Sequence, residues 1–349
     1  MSLPEARTDD ATLWRVEAWR GLAAWMVVYA HYSPAAGVNV AWLKFSFTGV
    51  DLFFVLSGFV FAPYFFGKPL EVRSFAVRRF FRIYPAFIVA LAVYMGLKAA
   101  SGLELKFVWQ HMVFAYVQTR EMAFYYNPAF WSLPSEVEFY LLLPLLAALT
   151  RRQSGAVATL FAAALVMRLA LGYGSNRELE NQAFLGMYHL PGVLLEFLLG
   201  VVAWRFSQRA MSVGQKIALA SVGGIGWIGL ACVFGELGDA GIDATLARGQ
   251  MSWLAACCFA MLLTATAQTR KKPHRWLVTS CVWAGRLSYG TYLLHFAALT
   301  LALRFAAAWG PTMTVLAACA GTLGGAWVVY RAWENPWRQY GRTLARRWL

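Results

Sequence analysis

Charge is what this sequence has least of. Only 14% of its 349 residues are charged, and the acids number just 17. A soluble domain carries roughly a quarter charged residues, so the chain lacks the groups to coat a water-facing surface. That excludes an ordinary soluble enzyme and a disordered chain. Cysteine is also scarce. The five (Cys232, Cys257, Cys258, Cys281 and Cys319) lie in apolar stretches, with no CxxC pair and no histidine at metal-ligand spacing. An odd count in such places argues against a disulfide framework and against a zinc site. The opening MSLPEARTDDAT has neither a basic segment nor an A-x-A site, so no cleaved signal peptide is expected and the N-terminus is expected in the cytoplasm. Low-complexity tracts, short-period repeats and a soluble domain are missing too.

Apolar surface is what the chain has in excess. Hydrophobic residues make up 60% of it and aromatics 16%, and the mean hydropathy is +0.51. A helix crossing ~30 Å of hydrocarbon needs about 20 mostly apolar residues. Ten stretches qualify: 15–34, 45–66, 83–100, 130–149, 154–172, 183–205, 216–235, 250–267, 280–304 and 311–330. The segment 104–119 is shorter and amphipathic, expected to lie outside the membrane or to re-enter it. The expected fold is therefore all-α, a polytopic membrane bundle of about ten helices. Its parts are a tail over 1–14, a transmembrane domain over 15–336 and a basic tail over 337–349. The net charge of +14 would suggest nucleic acid in a soluble domain, whereas in a membrane chain it reflects basic cytoplasmic loops. With the N-terminus inside, 21 of the 31 Lys and Arg fall in inner segments, 8 in outer segments or span ends, and Arg20 and Arg286 within spans. The long outer connections carry Glu121, Glu178, Glu236, Asp239 and Asp243. Both termini are thus expected on the cytoplasmic side, the basic C-terminal tail meeting anionic lipid and not nucleic acid.

Ionisable residues within spans cost free energy and mark function by default, the bland alternatives being interhelical glue and snorkelling. Here they are Arg20, His31, Asp51, Glu136, Glu138, His189, Glu196, Arg286 and His295. Arg20 and His31 are eleven residues apart, about three turns, so they share a face roughly 16 Å apart along the axis. The alternating directions of the spans send His31, Asp51, Glu136, Glu138, His189 and His295 toward one outer layer. Arg20 and the cluster Arg78, Arg79, Arg82 lie at the inner side. The expected device is a polar channel from a cationic inner mouth to an outer site of imidazoles and carboxylates. An imidazole beside a carboxylate is a general-base pair. Glu136 and Glu138 point about 200° apart, so one site cannot use both. Glu136 shares its face with Ser132 and Tyr140, and Pro134 loosens the helix ahead of it. Arg79-x-x-Arg82 suits phosphate, or alternatively serves as a positive-inside anchor.

These residues together resemble acyltransferase family 3, multi-spanning bacterial membrane proteins. The motifs are Arg20-x10-His31, GVDLFFVLSGFV from Gly49, RRFFRIYP from Arg78, WSLPSEVEFYLLLPL from Trp131, LSYGTYLLH from Leu287 to His295, and Glu334-Asn335-Pro336. They occur in the family's order from Trp19 to Pro336. One departure is Val137, where members often carry a second carboxylate; here Glu138 follows one position later. The resemblance implies a stand-alone enzyme of the bacterial cytoplasmic membrane. It implies no permanently bound cofactor, cytoplasmic acyl-CoA (usually acetyl-CoA) as donor, and a carbohydrate or other hydroxylated acceptor such as a cell-envelope glycan. On that basis Arg20, Arg79 and Arg82 are expected to hold the donor's phosphates. His31, assisted by Glu136 or Asp51, is expected either to deprotonate the acceptor hydroxyl or to take the acyl group itself. Ser57 and Tyr289 are candidate oxyanion donors, and Glu138, His189, Ser288 and His295 candidate substrate or channel residues. The alternatives are an acyl translocator feeding a separate transferase, and a transporter or flippase.

Overall fold

The computed structural model describes residues 10–38, 40–152, 155–174, 186–237, 244–267 and 274–348. Among the described residues every regular element is helical. Ten helices span 17 to 29 residues and coincide in order with the ten apolar stretches. They are α1 (Asp10–Tyr32), α2 (Gly49–Phe65), α3 (Val72–Ala100), α4 (Ser132–Arg152), α5 (Ala156–Gly174), α6 (Leu190–Ser207), α7 (Val213–Leu237), α8 (Ala244–Ala267), α9 (Arg275–Leu303) and α10 (Ala306–Val329). An eleventh, the amphipathic α11 (Asn335–Ala345), follows one π-helical turn over Tyr330–Glu334. Among the described residues, seven segments are long and apolar enough to cross a membrane. Segment 104–119 holds one short helix, Val108–Met112, and turns. Of the charges used for orientation, Arg7, Arg177, Glu178, Asp239, Asp243, Arg270, Lys271 and Lys272 lie outside the described residues, as does most of the 1–14 tail.

The apolar surplus in the sequence faces outward as well as inward. Leu141 and Val213 are 74% and 73% exposed, which fits helices solvated by lipid. Pro63, Pro85 and Pro144 lie inside α2, α3 and α4, as membrane-spanning helices tolerate because surrounding groups can take up a freed carbonyl.

Small residues set which helices touch. A Cβ at Gly21 would meet Ala284, and one at Gly285 would meet Glu17, so α1 and α9 lie nearly backbone to backbone. The order of these contacts, with His31 further on meeting His295, makes α1 and α9 parallel. Likewise Gly58 faces the Phe197 carbonyl and Gly200 the Val55 carbonyl. With Phe54 on Phe197 and Phe66 on Trp204, these contacts make α2 and α6 parallel. Consecutive helices α9 and α10 are antiparallel, Gly290 meeting Ala326 and Gly325 meeting Leu294. Trp19 Nε1 donates to Thr266 Oγ1 at 3.0 Å and Arg15 Nη1 to the Ala267 carbonyl at 3.2 Å, tying α1 to the end of α8.

Because a Cβ at Gly58 would run into the Phe197 backbone and not a movable side-chain tip, Gly58→Ala must force α2 and α6 apart. The expected loss is about 1–3 kcal/mol of stability, the usual cost of overpacking, read as a lower thermal midpoint in detergent. An unchanged midpoint would show that this close approach is dispensable.

Candidate functional site

A cleft opens where α1, α2, α3, α4 and α9 meet. Arg20, Ser57, Arg82, Glu136, Tyr140 and Tyr289 are among the residues that line it. Glu136 is its centre. One carboxylate oxygen accepts from Ser57 Oγ at 3.3 Å and from the Tyr140 hydroxyl, one helical turn further along α4. The polar stripe read from the 132/136/140 spacing therefore does face a cavity.

The other end is cationic. Arg20 pairs with Glu17 at 2.9 Å, three residues back on the same helix. Arg82 lies in the field of Glu334, Tyr140, Glu17 and Glu136. Glu334 in turn accepts from Arg338 of α11 at 3.1 Å, so the closing E-x-P motif anchors α11 beside the arginines. Arg20, Arg82 and Glu136 thus line one continuous space. Arg79 is not in that lining. Its guanidinium sits over the rings of Phe61, Phe75 and Tyr140 at 5.2, 5.8 and 5.8 Å, held among aromatics behind the cleft wall. The even role expected for Arg79 and Arg82 is therefore divided: Arg82 reaches the cavity and Arg79 backs Tyr140.

The cleft hydroxyls are largely committed to the protein. Tyr289 donates to the Ile83 carbonyl at 3.0 Å, Ser288 to the Gly285 carbonyl at 2.7 Å, and Tyr292 to the Ala129 carbonyl, with Ser132 Oγ 2.6 Å away. Tyr289, expected as an oxyanion donor, spends its proton on backbone. It positions α9 against α3 instead. Ser57 likewise gives its proton to Glu136.

The expectation that six ionisable groups converge on one outer site is not met, because the packing sorts them into separate sets. His31 does not face Glu136 or Asp51. It meets His295, the rings 5.2 Å apart and inclined by 30°, with His295 Nε2 3.2 Å from His31 Nδ1. Asp51 is buried facing Arg168, Glu196 and Ser252, and Arg168 forms an ion pair with Glu196 at 3.2 Å. Asp51 thus belongs to a structural charge cluster among α2, α5, α6 and α8, apart from the cleft lining. Glu138 bonds His189 Nδ1 and accepts the Leu190 N–H at 2.7 Å, capping α6, while His189 Nε2 sits 2.8 Å from the Val117 carbonyl. That pair clasps α4, α6 and the 113–119 turn together. The departure at Val137 and Glu138 therefore has a structural use.

Tyr292, Glu17 and Arg168 escaped the sequence reading as site or cluster members, whereas Glu196 was singled out there without its partner. A lone arginine inside the 19-residue apolar helix α5 was the available signal, since an unpaired cation there is costly.

Residues 13–331 match the family model described as an acyltransferase domain. The chain belongs to this acyltransferase family. Among curated members, it is 26% identical over 314 residues to a putative membrane-bound transacylase, BcsY, of Komagataeibacter xylinus, covering 82% of this chain and 73% of that protein. Nodulation protein 10 of Rhizobium leguminosarum bv. viciae is 27% identical over 310 residues, covering 79% and 80%. The peptidoglycan O-acetyltransferase OatA of Listeria monocytogenes is 25% identical over 324 residues, covering 82% of this chain but 49% of OatA. No solved structure matches the chain. In this membrane-bound acyltransferase, Arg20, Arg82 and Glu136 line one cleft.

Proposed function

We propose that this acyltransferase moves an acyl group, typically acetyl, from cytoplasmic acyl-CoA to a hydroxyl of a carbohydrate acceptor, such as a cell-envelope glycan, on the other side of the bacterial cytoplasmic membrane. The observation that carries this reading is the shared cleft: Arg20 and Arg82 at one end, Glu136 with Ser57 and Tyr140 at the other. Guanidiniums take phosphates bidentately, and the donor's pantetheine arm is long enough to carry its thioester from Arg20 toward His31, roughly 16 Å along α1. The helix directions support a route across the bilayer. If all ten long helices cross, the first and ninth run the same way, and so do the second and sixth; α1 with α9 and α2 with α6 are parallel as this requires. Both termini then lie on the basic, cytoplasmic side.

In the transfer, the acceptor oxygen attacks the thioester carbonyl while its proton passes to a base. The new C–O bond forms, the C–S bond breaks, and the proton ends on the CoA thiol. No resident cofactor is required. Purified protein, incubated with labelled acetyl-CoA and candidate glycans, is expected to label the glycan unaided. Label stalled on the protein would mean a translocator feeding another transferase, and no label anywhere would overturn the reading. Arg82→Gln is expected to raise KM for acetyl-CoA by about tenfold to a hundredfold, the worth of a hydrogen bond to a charged group, and to abolish the thermal shift caused by CoA. An unchanged KM would remove Arg82 from donor binding.

A further inference from the structure

His31 and His295 fix each other's protonation. His295 Nδ1 lies 2.8 Å from the Tyr292 carbonyl oxygen, which only accepts, so Nδ1 carries the His295 proton. Nε2 of the neutral ring is then a lone pair, and it faces His31 Nδ1 at 3.2 Å. His31 Nδ1 must therefore donate. The Val27 carbonyl, one turn back, faces the same ring, but among the described residues the hydrogen bond that His31 makes is the one to His295. Among the described residues no hydrogen bond reaches His31 Nε2, yet it is not one of the sealed, unpaired side-chain atoms, so it is open.

His295 has little freedom to change this. It is fully buried, and the Tyr32 hydroxyl holds its own carbonyl at 2.7 Å while also meeting Thr322 Oγ1 at 2.7 Å. A base is usually oriented by a carboxylate, but here the partner is a neutral imidazole, which costs less than an anion in an apolar bundle.

Resting on the acyl-transfer reading above, we propose that His295 is the positioning residue that keeps His31 in the Nδ1–H tautomer, leaving Nε2 to take the acceptor's hydroxyl proton. In that step the O–H bond breaks, the N–H bond forms on His31 Nε2, and the proton later passes to the departing CoA thiolate. His31 Nδ1–H donates to His295 throughout.

The test compares His295→Leu with His295→Gln in the full-length protein. Leucine removes the acceptor, and the expected result is a fall in kcat of about 10²-fold or more with KM for acetyl-CoA unchanged. Glutamine restores an acceptor oxygen at similar reach and is expected to recover kcat to within about tenfold of the original. Nitrogen-15 spectra of histidine-labelled protein are expected to show His31 protonated at Nδ1 in the original chain and mixed tautomers in His295→Leu. The proposal is overturned if His295→Leu keeps its kcat, if both variants fold normally and fall equally, or if the original chain carries the His31 proton on Nε2. Should the original protein transfer no acyl group in any assay, the acyl-transfer reading fails, while the spectra still decide the tautomer.

Discussion

His31→Ala is expected to lower acyl transfer by about 10²- to 10⁴-fold, the range over which a positioned general base contributes, with the protein still folded and abundant in the membrane. The ring is half-buried between His295 and Phe296, 4.5 Å away, so its removal leaves packing of modest consequence on a helix anchored elsewhere by Trp19 and Arg15. The imidazole left behind, His295, is fully buried with Nδ1 held on the Tyr292 carbonyl, so it is not expected to replace the lost base. Acetyl transfer by purified protein, normalised to folded protein by size-exclusion chromatography, measures this. Full activity in His31→Ala would move the base to Glu136, which lines the cleft where His31 does not.

Arg168→Leu is expected to be the most damaging single change to the fold. Arg168 and Glu196 are 3% and 0% exposed, and Asp51 lies beside them. Arg168 also donates to the Gly192 carbonyl, joining α5 to the first turn of α6. Removing one member of a buried ion pair costs about 3–5 kcal/mol, because its partner is left charged or must be neutralised. Here a second carboxylate compounds the cost. The measurement is the thermal midpoint and monodispersity in detergent, with Arg168→Leu expected to aggregate and the double variant with Glu196→Leu to recover in part. A midpoint equal to that of the original chain would show the cluster to be open to water.

The residues whose signal is local were readable. A 3.6-residue period places Ser132, Glu136 and Tyr140 on one side of a helix whatever packs against it, and that face does line the cleft. Arg20 and Arg82 were found for the same reason, as cations near the ends of apolar runs. Pairings across helices were not readable. Nothing in the spacing of Asp51 distinguishes a base's helper from a partner of Arg168, and nothing in Glu138 shows that it caps α6.

Composition and apolar run length determined the membrane bundle by themselves, because transfer of a 20-residue segment into lipid depends only on what that segment contains. The partners of each buried polar group were decided by tertiary structure alone. Ser57 and Glu136 are 79 residues apart, and His31 and His295 are 264 apart. Which of them meet depends on how each helix is rotated and on where glycines let two backbones close in. Turning a helix about its axis would change those neighbours while leaving every hydropathy value as it is.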